Sequence, residues 1–210
     1  MTDKSSFLCT LFYICNMLLL RDKLKDFELI LGSQSPRREE LLRGLYLEFK
    51  TQPLHADESY SAELKAENIT EFLCRVKANA FQFSHEKQIL ITADTIVWLE
   101  DLSLEKPKNR GEAIDMLKAL SGKTHEVISS VGITSTEKQI VFSDKTKVQF
   151  STLNDEEIEF YVDTFHPFDK AGAYGVQEWI GYVGVEKLEG SYFTVMGLPV
   201  HRLYQTLKNF

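Results

Sequence analysis

This chain has few of the residues that specify a disulfide scaffold or a nucleic-acid surface. Only three of its 210 residues are cysteine and five are proline. Cys9, Cys15 and Cys74 have neither the even number of a disulfide framework nor metal-ligand spacing, and a reduced, cytoplasmic setting fits them best. Basic residues number 24 against 31 acidic ones, for a net charge of −7. This balance disfavours a general nucleic-acid binder, so any bound anion is expected in a local pocket.

Long apolar runs are also scarce, and the one present lies near the N-terminus, at residues 7–20 (FLCTLFYICNMLLL). It is short for a membrane span, which needs about 20 apolar residues. No small-residue cleavage site of a signal peptide follows it. Three interpretations stay open: a weak export or membrane signal, an extra docked helix, or an upstream start codon before a natural start at Met17. We therefore expect an N-terminal extension, residues 1–26, and one domain, residues 27–210.

The rest of the chain has the composition of an ordinary globular protein, with 43% hydrophobic and 26% charged residues. Runs of branched and aromatic residues predict strands at residues 28–31, 89–93, 126–134, 139–142 and 145–150. Helical periodicity predicts helices at residues 36–43, 69–83, 111–120 and 155–164. The mixture predicts an α/β fold with some antiparallel pairing.

Glycine is concentrated in the C-terminal third, where residues 172–197 hold six of the chain's eleven glycines, interleaved with aromatic residues. This density predicts tight turns and backbone brought close to a ligand or to another segment. The alternative is a hairpin-rich sheet packed on its aromatic side chains.

Two arginines stand where a helix start should repel them. Ser35 and Pro36 form a good helix start, because a hydroxyl can accept an unpaired N–H and proline fits the first turn. Arg37 and Arg38 then place cations at the positive end of the helix dipole. With the hydroxyls of Ser33 and Ser35 and the helix-start N–H groups, the guanidiniums would form a phosphate site. The alternative is a solvated face on which the arginines pair with acidic residues.

A carboxylate, Asp94, directly follows an apolar strand pattern in the stretch ITADTIV. A charge at the end of a buried strand is costly unless it is paired or binds a metal. The carboxyl ends of strands are also where open α/β sheets bind ligands. Asp94 is thus a candidate to hold Mg²⁺ or to activate a water, and the alternative is an aspartate that caps a turn.

Other polar residues are weaker candidates when taken singly, namely Glu58, Lys106, Lys123, Thr124, His125, Asp169, Lys170, Gln177 and Glu178. A lone lysine or glutamate in a loop is usually a solvated charge, and a lone histidine is usually a half-buried structural side chain. The sequence has no Walker-type phosphate loop, no His/Cys metal cluster and no Ser/His/Asp order.

Six motifs in order, GSQSPRREELL, ADTIV, EKP, LSGKTHEV, DKAGAYGVQE and GSYFTVMGLP, together resemble the Maf family of nucleoside triphosphate pyrophosphatases. The resemblance covers about residues 28–210. It implies an α/β fold similar to that of the inosine triphosphate pyrophosphatases, a two-lobed mixed sheet with a central cleft. It also implies a hydrolase that uses Mg²⁺ or Mn²⁺ to split a nucleoside triphosphate into the monophosphate and pyrophosphate. No nucleic-acid or membrane partner is expected, and a homodimer is compatible with the resemblance.

The same resemblance implies roles for individual residues. Asp94 matches the family's proposed proton acceptor, Glu58 and Asp94 match its metal-associated acidic positions, and Lys106 matches a cleft lysine. Arg37, Thr95 and Gln177 match positions that determine which substrate a member of the family prefers. Their identities resemble the branch that acts on dTTP and UTP rather than the branch that prefers 7-methyl-GTP. Thr194 replaces an asparagine expected in the last motif, which would weaken hydrogen bonding near the base.

Two other functions are compatible with these features. One is a non-catalytic regulator that binds nucleotide or a cell-division partner, and the other is a pyrophosphatase for 7-methyl-GTP or for dITP and XTP. A pure binder would not need Asp94 and Glu58 with a metal, which disfavours the regulator. The physiological role, whether clearance of modified pyrimidine nucleotides or growth control, does not follow from the sequence.

Overall fold

The protein is described here by a computed structural model, over residues 19–210. The interpretations of residues 1–18, including a start at Met17, concern residues outside this range. Between residues 19 and 210 no helix is both long enough and apolar enough to cross a membrane.

The strands are β1 (Glu28–Leu31), β2 (Lys50–Thr51), β3 (Gln88–Leu99), β4 (Leu102–Leu104), β5 (Thr124–Thr134), β6 (Gln139–Phe150) and β7 (Val185–Glu189). The α-helices are α1 (Leu20–Leu24), α2 (Pro36–Arg43), α3 (Glu67–Asn79), α4 (Arg110–Leu120), α5 (Asp155–Phe165), α6 (Trp179–Gly184), α7 (Tyr192–Val195) and α8 (Val200–Lys208). A short 3₁₀ turn spans Ala171–Ala173.

Most predicted elements are present, but two strand predictions were wrong in ways that matter. The strand predicted at residues 89–93 continues to Leu99, so that Asp94 lies inside β3 and not after it. The two strands predicted at residues 139–150 are one, because Ser143 and Asp144 keep the pairing with β5. The glycine-rich stretch, residues 172–197, forms the predicted turns together with short helices and one strand, β7, so the alternative of a hairpin-rich sheet was wrong.

The seven strands form one mixed sheet in the order β2-β1-β3-β5-β6-β7, with β4 paired to β3. β1 is parallel to both β2 and β3, and the other pairs are antiparallel. β3 pairs with β1 up to Ile91 and with β4 from Val97 onward. Between these two points, no strand of the described part of the chain lies beside this edge of β3, and Asp94 lies in this gap.

Two large hydrophobic clusters divide the molecule into lobes that share strands. β3 contributes Ile89 and Ile91 to the first cluster, and Val97 and Leu99 to the second. The side chains of β5 are shared between the clusters in the same way. Ile133, near one end of the strand, belongs to the first cluster, and Val127, near the other end, belongs to the second. The gap in β3 therefore lies at the junction of two lobes joined by continuous strands, as expected of a two-lobed sheet.

The described end of the N-terminal extension packs on the domain. Leu20 and Leu24 of α1 are buried in the first cluster, together with Leu203 and Leu207 of α8. Burying a leucine side chain contributes about 1.5–3 kcal/mol, so this short helix adds to the stability of the first lobe.

Candidate active site

A cleft of about 790 Å³ opens at the gap in β3. Eight of the nine site residues predicted from the sequence line it: Ser33, Ser35, Arg37, Arg38, Glu58, Asp94, Thr95 and Lys106. The ninth, Gln177, lines an adjoining pocket of about 60 Å³ that shares Arg37, Arg38, Thr95 and Lys106 with the cleft. The fold therefore brings together residues that lie up to 144 positions apart in the chain, from Ser33 to Gln177.

Asp94 is the buried carboxylate of this cleft. It is 7% exposed, and the ammonium of Lys77 lies 2.6 Å from its Oδ1. Burial raises the pKa of Asp94, although the neighbouring charges of Lys77 and Arg38 favour the ionised form. A carboxylate with a raised pKa is a stronger base than a free aspartate, which suits it to accept a proton from water.

Lys77 was missed by the sequence analysis. It lies on α3, on the same buried helix face as Ile69, Leu73 and Cys74. Its ammonium contacts Asp94 and also lies 3.4 Å from Oε2 of Glu58, which projects from the loop between β2 and α3. A lysine in the apolar stripe of a helix was the available signal, because lysine is almost never fully buried without a partner.

The contacts of Lys77 also indicate whether Asp94 and Glu58 could bind a divalent metal together. One cationic nitrogen already lies within 3.4 Å of both carboxylates, so Asp94 and Glu58 are close enough to share a cation. Carboxylate oxygens are the ligands that Mg²⁺ prefers, and Mg²⁺ is often held by one or two carboxylates together with substrate phosphates. Within residues 19–210 no group of three or more His, Cys, Asp or Glu side chains is arranged for a metal. The site therefore fits a metal shared with phosphates.

Arg38 joins three parts of the cleft wall. Its Nη1 donates to the Ala93 carbonyl at 2.8 Å, its Nε to the Gly197 carbonyl at 3.0 Å, and its Nη2 to Thr95 Oγ1 at 3.1 Å. Gly197 has a φ of +99°, a conformation that glycine adopts readily and that L-residues rarely do. Burial lowers the pKa of Arg38. Three of its five N–H donors thus have partners within residues 19–210, and the other two are candidate donors to a ligand.

Arg37 spans the cleft to the other lobe. Its Nη1 donates to Oδ2 of Asp169 at 2.6 Å, and its Nη2 to the carbonyl of the same residue at 3.3 Å. Arg37 therefore pairs with an acidic residue, as the alternative interpretation expected, but the pair lines the cleft and does not form a solvated face. The pKa of Asp169 is lowered: burial opposes the shift, and the hydrogen bonds from Lys170 and Arg37 outweigh it.

The start of α2 is built differently from the prediction. The Ser35 side chain makes no capping hydrogen bond to this helix, so the expectation that its hydroxyl would cap the helix was wrong. Instead, the Ser35 N–H donates to Oγ of Ser33 at 3.2 Å. By contrast, α5 has the full capping box of Asn154 and Glu157. The open end of α2 faces the cleft, and uncapped N–H groups at a helix start bind anions well.

Two further candidates have structural partners. Thr95 and Ser129 have hydroxyls 2.8 Å apart, and Ser129 donates its proton to the Thr194 carbonyl, so Thr95 donates to Ser129 and accepts from Arg38. Thr194 is fully buried, donates its hydroxyl to Asp144, and lines neither the cleft nor the adjoining pocket.

His125 is a core residue, as the usual interpretation of a lone histidine suggests. Its Nε2 lies 2.8 Å from the Tyr174 hydroxyl, and burial lowers its pKa to about 4. It therefore packs behind the adjoining pocket, which Tyr174 lines.

The sequence of this chain is similar to those of known proteins. The family described as "Maf-like protein" matches residues 28–210. A protein of Christiangramia forsetii named dTTP/UTP pyrophosphatase is 50% identical over 191 residues, which cover 90% of this chain and 97% of that protein. A protein of Bacteroides fragilis with the same name is 51% identical over 188 residues, which cover 88% of this chain and 97% of that protein. A third protein of this name, from Porphyromonas gingivalis, is 46% identical over 193 residues, which cover 90% of this chain and 97% of that protein.

Proposed function

The chain belongs to the Maf family, and on this basis we propose that it is a nucleoside triphosphate pyrophosphatase acting on dTTP and UTP. The reaction adds water across the bond between the α- and β-phosphates and yields the nucleoside monophosphate and pyrophosphate. The observation that carries the proposal is the meeting of a buried carboxylate, Asp94, with Arg37, Arg38 and Lys106 in one cleft. Carboxylate and cations are the two groups that hydrolysis of a phosphoanhydride requires.

The cationic side of the cleft would bind the polyphosphate. Arg37 and Lys106 would contact the polyphosphate from opposite lobes. Arg38 would contribute the two N–H donors that have no partner within residues 19–210. Fixed positive charge around the phosphate oxygens stabilises the charge that develops in the transition state. The hydroxyl of Ser35 and the open start of α2 add further donors at the same end of the cleft.

The acidic side would hold the metal and activate water. Asp94 and Glu58 would hold Mg²⁺ or Mn²⁺, which when bound neutralises phosphate charge. Asp94 would accept the proton of the water that attacks the α-phosphorus. Lys77 contacts both carboxylates and would keep Asp94 oriented and ionised for this task.

Base recognition would fall to Gln177 in the adjoining pocket. Its amide has a donor and an acceptor side by side, which matches the N–H and carbonyl on one edge of uracil or thymine. Thr95 shapes the junction between this pocket and the cleft, because it lines both. Its hydroxyl is held by Arg38 and Ser129.

A pyrophosphate-release assay tests the function. Purified protein with Mg²⁺ should release pyrophosphate from dTTP and UTP much faster than from 7-methyl-GTP, dITP or XTP, and chelation with EDTA should stop release. Release from no triphosphate would favour a nucleotide-binding regulator. Faster release from the purine nucleotides would favour the alternative pyrophosphatase.

The domain, residues 27–210, would be the catalytic unit, with residues 1–26 as an N-terminal extension. A cytoplasmic location is proposed with it, because Cys74 is a free, buried thiol and nucleotide pools are the substrate source.

A further inference from the structure

Gln177 lies in a tight turn whose shape depends on the next residue. The Glu178 N–H donates to the Gly175 carbonyl at 2.9 Å and closes the turn. A Cβ on Gly175 would lie 2.9 Å from Cδ of Glu178 and 3.0 Å from Nε2 of Gln177. Both side chains therefore fold back over Gly175.

Two side chains that do not line the cleft hold the Glu178 carboxylate, and one of them, Lys170, also contacts Oδ1 of Asp169 at 2.7 Å. One oxygen of Glu178 accepts a hydrogen bond from the Tyr161 hydroxyl, and the other lies 3.1 Å from Nζ of Lys170. Tyr161 is fully buried on α5, and Lys170 is 8% exposed. Hydrogen bonds to a charged group in such surroundings are stronger than those between neutral groups.

Tyr161 fastens the other end of the turn as well. Its hydroxyl accepts the Gly175 N–H at 3.0 Å while it donates to Glu178. Burial raises the pKa of Tyr161, which keeps the hydroxyl protonated and able to donate. One phenol therefore holds both the first and the last residue of the turn that carries Gln177.

We propose that Glu178 and Tyr161 are positioning residues for base selection, which hold the turn at residues 175–178 so that the Gln177 amide faces the base. This inference rests on the proposed function of Gln177. Neither residue lines the cleft that would hold the polyphosphate. Loss of either contact should therefore impair recognition of the base and leave binding of the phosphates in place.

The test compares Glu178→Ala and Tyr161→Phe with the unaltered enzyme. The ratio of kcat/KM for UTP to that for 7-methyl-GTP should fall by about tenfold or more, mainly through a higher KM for UTP. Inhibition by inorganic tripolyphosphate, which has no base, should change by less than about twofold, because Arg37 keeps its contact with Asp169. Glu178→Gln should fall in between, since its carbonyl oxygen can still accept one hydrogen bond.

The matched control is Glu157→Ala. Glu157 lies on the same helix as Tyr161, and its loss removes half of the α5 capping box without touching the turn. This variant should melt earlier and keep its UTP preference. An unchanged UTP preference in both Glu178→Ala and Tyr161→Phe would overturn the inference, as would tripolyphosphate inhibition that weakens in parallel with UTP binding. If the unaltered enzyme does not prefer UTP, the proposed function fails instead.

Discussion

The Lys77 ammonium lies 2.6 Å from the Asp94 carboxylate, and both side chains are 11% exposed. Removing one member of such a buried pair leaves an uncompensated charge, which typically costs about 3–5 kcal/mol. Removing both charges costs much less. We therefore expect Lys77 to stabilise the fold and, as proposed above, to orient Asp94, and experiment can separate the two effects.

Lys77→Met should lower the free energy of unfolding by about 3 kcal/mol, because Asp94 loses its partner. The double variant Lys77→Met with Asp94→Asn should be more stable than Lys77→Met alone. Urea unfolding at pH 7 measures both. Lys87→Met is the matched control, since Lys87 is exposed and its loss should change stability by less than about 0.5 kcal/mol. Equal stability of the single and double variants would contradict the role given to the pair.

The two arginines of α2 should respond differently to truncation. Arg38→Ala removes three hydrogen bonds to the cleft wall, so it should lower stability by about 2 kcal/mol or more and also impair activity. Arg37→Ala loses a partly exposed ion pair and should cost less than about 1 kcal/mol, while KM for UTP rises. Thermal melts and steady-state kinetics distinguish the two. A large stability loss in Arg37→Ala would argue that this arginine is structural.

Gln177→Leu should affect selection more than folding. The Gln177 amide makes no hydrogen bond within residues 19–210, so the melting temperature should hardly change. Loss of its hydrogen bonds to the base should lower kcat/KM for UTP by about tenfold or more. Tripolyphosphate should inhibit as before. A variant with unchanged UTP kinetics would show that another group reads the base.

His125 should make stability depend on pH. Its pKa is about 4 in the folded chain, below the ordinary value of 6.5, because burial disfavours the charged form. Between these values the unfolded chain binds more protons, so stability should fall as the pH falls from 6.5 toward 4, by up to about 1.4 kcal/mol per unit.

His125→Gln cannot titrate in this range and keeps an amide for Tyr174. Unfolding by urea at several pH values should show a shallower slope for His125→Gln than for the unaltered protein. Other titrating groups are common to both proteins and cancel in the difference. Identical slopes would show that the His125 proton equilibrium does not differ between folded and unfolded states.

Local sequence patterns predicted the first strand and the first helix of the domain correctly. The strand at Glu28–Leu31 and the helix at Pro36–Arg43 have the predicted bounds, because an apolar run, a proline and a leucine stripe act within a few residues. β3 was cut short in the prediction because Asp94 looked like a strand end. Its charge is tolerated inside the strand because Lys77, from a distant helix, supplies a partner and Arg38 adds a second nearby cation.

The sequence predicted which residues line the cleft, but it did not predict the contacts between them. Family motifs indicated Arg37, Asp94 and Gln177, and the structure places them along one cleft and its adjoining pocket. The contacts of Arg38 with Gly197 and of Glu178 with Tyr161 join segments far apart in the chain. No periodicity or spacing encodes such contacts, because they depend on how the lobes pack.

Asp94→Asn tests the central claim most directly. The variant keeps the size of the side chain and an oxygen for Lys77, but it cannot take a proton from water. With UTP and Mg²⁺, pyrophosphate release should fall by about a hundredfold or more, while circular dichroism shows an unchanged fold. Release at a rate close to that of the unaltered enzyme would contradict the assignment of this cleft as the active site.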